Sequence, residues 1–261
     1  MACRKWSLVV SILPVRSQAC LIFNDSPQAD PAMTPRLAAA LVHVFTASGI
    51  ACAFFATQAL MASDWRGMFA WLGLALIVDA VDGPLARRFK VKSVLPRFDG
   101  ERLDLIIDYI TYVFIAALAL LGAGFLVGMP GQILAVGILM SSLFHFCDTQ
   151  SKTEDNCFVG FPAIWNVVAF YMFAFAPPAW VAMTVVAVCI AATFYPLKWV
   201  HPVRVVKGRR VTAAVGAAWA VAAVVVVVQG FPGGGVARAV LAGCGVYAVV
   251  LSLWLGRARG D

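Results

Sequence analysis

Four aspartates, Asp79, Asp82, Asp104 and Asp108, have the residue type and the spacing to do chemistry together. Asp79 and Asp82 are three residues apart and Asp104 and Asp108 four, so on helices each pair projects from one face. Two such pairs facing each other make a cluster of carboxylate oxygens. Oxygen-only donors at this density suit a hard cation, Mg²⁺ or Mn²⁺, and four carboxylates can hold two of them. A two-metal site at a membrane surface is suited to displacement at phosphorus, where the ions neutralise the phosphate and hold the leaving group. Gly83 and Gly100, beside the acids, let a polar ligand approach the backbone. Arg87, just beyond Asp82, supplies a fixed cation for a phosphate.

The composition gives these acids their weight. The chain is 62% hydrophobic and only 13% charged, which is the profile of an integral membrane protein, here of the all-α class. Asp79 directly follows the apolar run from Trp71 to Val78, and Asp104 and Asp108 flank Leu105, Ile106 and Ile107. An acid inside a membrane helix costs about 2.5–3.5 kcal/mol on insertion scales, so its default reading is functional. The alternative is four helix-end residues in the headgroup zone, where carboxylates are cheap. Two matched pairs with intervening Gly, Ala and Arg weigh against it.

The elements that must position the acids follow from the apolar runs. Crossing a hydrocarbon core of about 30 Å takes roughly 20 residues, and the sequence predicts eight such spans, near 37–61, 66–83, 103–127, 131–147, 159–176, 178–197, 211–229 and 235–255. Ser63-Asp64, Gly128-Met129-Pro130, Pro177-Pro178 and the glycines between 230 and 235 punctuate them. The membrane domain so defined covers residues 36–255, with 256–261 as a short tail. Residues 1–35 hold four prolines, and a short apolar run there is broken by Pro14 and Arg16. They read as a disordered extension, with Met33 as an alternative start.

Charge placement predicts the orientation. With the N-terminus in the cytoplasm, every Lys and Arg except Arg66 and Arg238 falls on the cytoplasmic side, as do both termini and the aspartate stretch. The net charge of +7 then reports topology and contact with anionic headgroups or phosphates, and gives no reason to invoke nucleic acid. The seven cysteines are scattered without a C-x-x-C pair and read as small apolar fillers. His43 and His145 read as packing residues.

The residues carry a resemblance. Asp79-x-x-Asp82-Gly83-x-x-Ala86-Arg87, followed by Gly100-x-x-x-Asp104-x-x-x-Asp108, resembles the signature of the CDP-alcohol phosphatidyltransferases. The interval of 12 residues between Arg87 and Gly100 is longer than in most of that family and is similar to the bacterial phosphatidylcholine synthase branch. The flanking text VHVFTASG, DWRGMFAWLGLALIVDAVDGPLARR and KTEDNCFVGFPAIWN is similar to that branch too. The likeness runs from about Met33 to the end. It implies a family core with two extra C-terminal helices in the bacterial inner membrane, and a reaction of CDP-diacylglycerol with choline that gives phosphatidylcholine and CMP. It further implies that Asp79, Asp82, Asp104 and Asp108 coordinate two divalent ions on the diphosphate. Asp82, Gly83, Ala86, Arg87 and Gly100 would bind CDP-diacylglycerol, and Asp108 would be the general base for the choline hydroxyl. The family is commonly dimeric, so a homodimer is the expected assembly.

Choline selection is carried by fewer signals. A quaternary ammonium has no N–H to donate and is held by aromatic faces and negative charge. Glu154, Asp155 and Trp165 are the candidates, with Tyr112, Phe161, Tyr171, Tyr195 and Trp199 as further aromatics. Another acceptor, such as serine, inositol or glycerol phosphate, is the alternative within the class. A cation transporter is the alternative outside it, but its acids would sit at mid-membrane on broken helices of repeated halves, and no repeat is visible.

Overall fold

The computed structural model describes residues 34–148, 158–195, 198–199 and 209–257. The N-terminal extension expected over residues 1–35 falls almost wholly outside them, and so do Glu154 and Asp155. The described chain is helical apart from one antiparallel pair of two-residue strands, β1 (Phe158–Val159) and β2 (Lys198–Trp199). Its helices are α1 (Pro35–Met61), α2 (Trp65–Arg88), the single turn α3 (Val91–Val94) and α4 (Gly100–Gly122). They continue with α5 (Gly128–Cys147), α6 (Trp165–Phe175), α7 (Ala179–Thr193), α8 (Arg209–Gln229) and α9 (Gly235–Arg257). Among the described residues six helices, α1, α2, α4, α5, α8 and α9, are long and apolar enough to cross a membrane. The chain is a multi-pass integral membrane protein.

Two of the eight predicted spans are shorter than expected. α6 has 11 residues and α7 has 15. The reason lies in the segment before α6, where Gly160 and Ala163 have φ of 79° and 53° and the Phe161 N–H donates to the Ala192 carbonyl at 3.0 Å. The backbone there is not helical, and the Phe161 N–H takes its hydrogen bond from the end of α7 instead of from a helix of its own. At the other end α6 stops at Ala176, in the left-handed region with φ of 44°, whose N–H bonds Met172 O at 2.8 Å.

Side chains fix the helix starts. Thr34 accepts from the Leu37 N–H ahead of Pro35, Asp64 Oδ1 accepts from Gly67 N at 3.0 Å, and Asp99 Oδ1 accepts from Glu101 N and Arg102 N at 3.1 and 3.3 Å. Asp99 therefore starts α4 at Gly100, three residues ahead of the predicted span. α2 runs through Pro84 to Arg88 rather than ending at residue 83. Arg87 and Arg88 occupy its last turn, where cations oppose the negative end of the helix dipole.

All eight apolar helices contribute to one buried core. Met68, Phe69 and Leu72 of α2, Val113 to Leu120 of α4, Ile138 of α5, Trp165 and Phe173 of α6, Val186 of α7, Val226 of α8 and Leu241 of α9 belong to it. α1 presents small residues to its neighbours, with Ala39, Gly49, Ala53 and Ala56 buried. Small residues let membrane helices approach closely, and a Cβ at Gly49 would stand 2.8 Å from Ile107 Cγ2 of α4. The large apolar side chains left exposed, among them Val44, Ile77, Ile133 and Val224, form the surface that lipid covers.

Candidate active site

α1, α2 and the first turns of α4 frame the aspartates. Asp79 and Asp82 sit on α2, and Asp104 and Asp108 on the first turns of α4. One oxygen from each of Asp79, Asp104 and Asp108 lies within 4.8 Å of the other two. Asp82 is outside that triad. It is buried, with 5% exposure, and its carboxylate faces Thr46 of α1, Asp79 and Asp104. The structure thus brings the two predicted pairs together and places three of the four acids as a compact ligand set.

The donor set tests what it can hold. Carboxylate oxygens alone match the preference of Mg²⁺ or Mn²⁺, and the triad offers no nitrogen or sulfur donor that would select a softer ion. Like charges held this close repel unless a cation lies between them. The triad fits a hard divalent metal.

A tyrosine from within the helix completes the acid cluster. Tyr112 Oη donates to Asp79 Oδ2 at 2.5 Å and so ties α4 to α2. The tyrosine lies in a π turn, Tyr109–Phe114, that begins directly after Asp108. π turns are rare and gather at functional sites. Here Thr111 Oγ1 bonds Ile107 O at 3.0 Å, and Tyr109 Oη reaches across to Leu139 O of α5 at 3.0 Å. Sequence reading treats Tyr112 as one aromatic among several for choline, whereas in the structure its hydroxyl is committed to Asp79. Its position four residues after Asp108, with the acids at the same interval before it, was the available signal.

A cavity of about 710 Å³ opens beside the acids. Asp82 and Asp104 lie on its wall, along with Gly83, Ala86, Arg87 and Gly100 of the sequence motif. Every predicted nucleotide-site residue therefore shares one cavity. Its seat is a second small core in which Ala39 and Val42 of α1 pack on Val91, with Ala86 and Phe89 beside them, holding α3 against the bundle. Lys90 turns the chain into α3 with φ of 48°, and with Arg87 and Lys92 it gives the cavity cationic side chains. Lys92 Nζ meets Glu101 Oε1 at 3.3 Å, a surface pair that bridges α3 and α4 and adds little stability. The Arg87 guanidinium folds back so that a Cβ at Gly83 would stand 3.4 Å from its Nη1. Larger side chains at 83 would push that cation away.

Trp165, a predicted choline contact, is fully buried between α5 and α6. Its indole N–H donates to Ser142 Oγ at 2.8 Å, and its ring meets Phe161 at 4.9 Å. Both its faces and its donor are used in packing, so no surface of it is open to a ligand in this state.

A bundle of membrane helices that sets an aspartate triad beside a cavity lined by both acidic and basic side chains has the form of a membrane-bound enzyme. Comparison with known proteins narrows the class. The chain is 46% identical over 199 residues to the phosphatidylcholine synthase of Bradyrhizobium diazoefficiens, which covers 76% of this chain and 73% of that protein. It is 45% identical over 191 residues to the phosphatidylcholine synthase of Pseudomonas aeruginosa, with 72% and 79% covered. A more distant phosphatidylcholine synthase, from Borreliella burgdorferi, is 33% identical over 172 residues, with 66% and 74% covered. No family model matches the chain. The chain belongs to the phosphatidylcholine synthase family, and it is a transferase of phospholipid biosynthesis.

Proposed function

We infer that the chain transfers the phosphatidyl group of CDP-diacylglycerol to choline, forming phosphatidylcholine and releasing CMP. The observation that carries this reading is the triad of Asp79, Asp104 and Asp108 beside a cavity that holds the whole Gly83, Ala86, Arg87 and Gly100 set. The names of the relatives supply the product.

In this reading Asp79, Asp104 and Asp108 hold Mg²⁺ or Mn²⁺, with Asp82 completing a site for two ions. When bound, the metal neutralises the diphosphate and stabilises the leaving CMP. The protein's own residues do the rest. Arg87 and Lys90 draw the diphosphate into the cavity, and Gly83 and Gly100 leave room for the nucleotide. Asp108 takes the proton of the choline hydroxyl as its oxygen bonds to the lipid-side phosphorus and the bond to the CMP oxygen breaks. The acyl chains stay among the exposed apolar side chains of the helices. Glu154 and Asp155 are the proposed partners of the quaternary ammonium.

The site faces the cytoplasm of the bacterial inner membrane in this reading, on the charge asymmetry of the sequence and the bacterial source of the relatives. A homodimer follows from the family resemblance and is read out by cross-linking in membranes.

The test is transfer of labelled choline to lipid by purified protein with CDP-diacylglycerol and Mn²⁺, beside Asp108→Asn. Label in phosphatidylcholine with wild type only, and only with metal, is the expected result. The variant should lose about 10²–10⁴ in rate, the range for removing a positioned general base. CMP release with serine, inositol or glycerol phosphate but not with choline would move the acceptor and keep the site. No CMP release with any alcohol would sink the reading.

A further inference from the structure

The chain between Arg88 and Gly100 forms a strap across the ends of three membrane helices, and the outer side of that strap has no part in the chemistry above. α2 ends at Arg88, α4 starts at Gly100, and α1, which starts at Pro35, meets the strap where Ala39 and Val42 pack on Val91. The ends of spanning helices stand at the edge of the hydrocarbon, level with the lipid headgroups. The strap's inner side is apolar and seated on α1, with Val91, Val94 and Leu95. Its outer side is different. Arg97 and Phe98 are exposed, as is Arg88 where the strap begins, and Phe98 is 62% exposed although apolar. The Arg97 guanidinium lies 5.8 Å from the centre of the Phe98 ring, so a cation and an aromatic ring form one exposed pair.

Charge on this segment is one-sided. From Arg87 to Arg102 the chain carries six Lys and Arg against two acids. Both acids are taken: Glu101 pairs with Lys92 at 3.3 Å and Asp99 with Arg102 at 3.1 Å. Arg87 and Lys90 line the cavity. Arg88 and Arg97 do not, and no acid among the described residues forms an ion pair with either. Two cations and an exposed ring at headgroup level match the phosphates of anionic lipids. Each juxtamembrane cation favours an anionic leaflet by about five-fold, and an aromatic ring belongs at that depth. We propose that Arg88, Arg97 and Phe98 form a docking surface for anionic lipid headgroups of the leaflet around the bundle. Lys92, Ser93 and Pro96 of the same strap line the cavity, so a lipid held here stands beside it. The consequence for the reaction rests on the CDP-diacylglycerol reading. That lipid is anionic and phosphatidylcholine is zwitterionic, so the surface gathers substrate and lets product go.

The experiment uses the purified full chain in neutral detergent micelles with Mn²⁺ and choline, and varies the surface fraction of CDP-diacylglycerol. The double variant Arg88→Gln with Arg97→Gln should raise KM for the lipid about ten-fold and leave kcat unchanged. Arg88→Lys with Arg97→Lys, which keeps both charges, should stay close to wild type. Replacing phosphatidylethanolamine in the micelles by phosphatidylglycerol should raise the wild-type KM toward that of the neutralised variant, by competition, and leave the variant's own KM where it was. Added salt should act on wild type in the same direction with no substitution at all. Native mass spectrometry with equal amounts of phosphatidylglycerol and phosphatidylethanolamine reads the surface without turnover: wild type should retain the anionic lipid preferentially, and the neutralised variant should not. An unchanged KM in that variant, a fall in kcat with KM held, or no preference of wild type for the anionic lipid would each overturn the proposal. Absence of transfer by wild type, with the lipid preference present and lost on neutralisation, would sink the CDP-diacylglycerol reading and support the docking surface.

Discussion

At the residue scale, the hydrogen bond from Tyr112 to Asp79 bears on how the acid cluster holds together. Asp79 must keep its carboxylate turned toward Asp104 and Asp108 while α2 and α4 are separate helices, and the tyrosine hydroxyl holds that carboxylate through Oδ2. Groups that orient a metal ligand in this way are worth about 10–100-fold in metal affinity when removed. Tyr112→Phe keeps the ring and its packing and deletes only the donor. It should weaken Mn²⁺ binding by about ten-fold or more, read by the loss of free-ion signal in electron paramagnetic resonance titration, with thermal stability close to wild type. Unchanged affinity would show that Asp79 is oriented without it. The four acids themselves were legible in the sequence because helical spacing converts directly into a shared face. Tyr112 was not, because a tyrosine near a membrane interface has an ordinary reason to be there, and only the fold shows which hydroxyl meets which carboxylate.

At the element scale, the site depends on how closely α1 and α4 approach. Gly49 and Ile107 set that distance, since any Cβ at 49 would stand 2.8 Å from Ile107 Cγ2. Gly49→Val should force the helices apart and cost about 1–3 kcal/mol through overpacking. The paired variant Gly49→Val with Ile107→Ala should recover much of that, which a double-mutant comparison of thermal midpoints in detergent would show. Additive losses would mean that the helices are spaced by other contacts. Asp99 does the corresponding service for the start of α4: Asp99→Ala removes acceptors from Glu101 N and Arg102 N and should cost about 1 kcal/mol. Hydropathy predicted these helices well in their interiors and less well at their ends. It placed the start of α4 late because Gly100, Glu101 and Arg102 are polar or small, although Asp99 caps them into the helix. It ended α2 at residue 83 because Pro84 reads as a stop, yet a proline at this point removes a single backbone donor from a helix already held along its length by α1. The irregular stretch before α6 falls inside a predicted span because its residues are apolar, and apolarity alone does not distinguish a buried irregular segment from a helix.

At the scale of the whole molecule, Arg66, one of the two cations that charge placement puts outside the cytoplasmic set, tests the topology. Arg66, at the start of α2, reaches across the bundle to the end of α8, where Nε donates to Val227 O at 3.1 Å and Nη2 to Val228 O at 2.7 Å. Carbonyls in the last turn of a helix have no intrahelical donor, and a guanidinium there satisfies two of them while opposing the negative end of the dipole. The α2 start and the α8 end must therefore lie at the same membrane face, as the alternation of spans requires. Asp79 and Asp82, about four turns further along α2, lie toward the opposite face. Arg66 has a local structural use, so its place outside the predicted cytoplasmic set does not weaken the orientation that the other Lys and Arg residues predict. Single cysteines introduced at Ser63 and at Ser93 in a cysteine-free background should separate cleanly in intact cells: a membrane-impermeant maleimide should label position 63 and spare position 93 until the membrane is opened. The reverse pattern would invert the predicted topology and put the cavity on the opposite membrane face. Arg66→Ala should lower the thermal midpoint by leaving the α8 carbonyls unmatched, without changing which position the maleimide reaches, because one residue of twenty cations does not set the orientation.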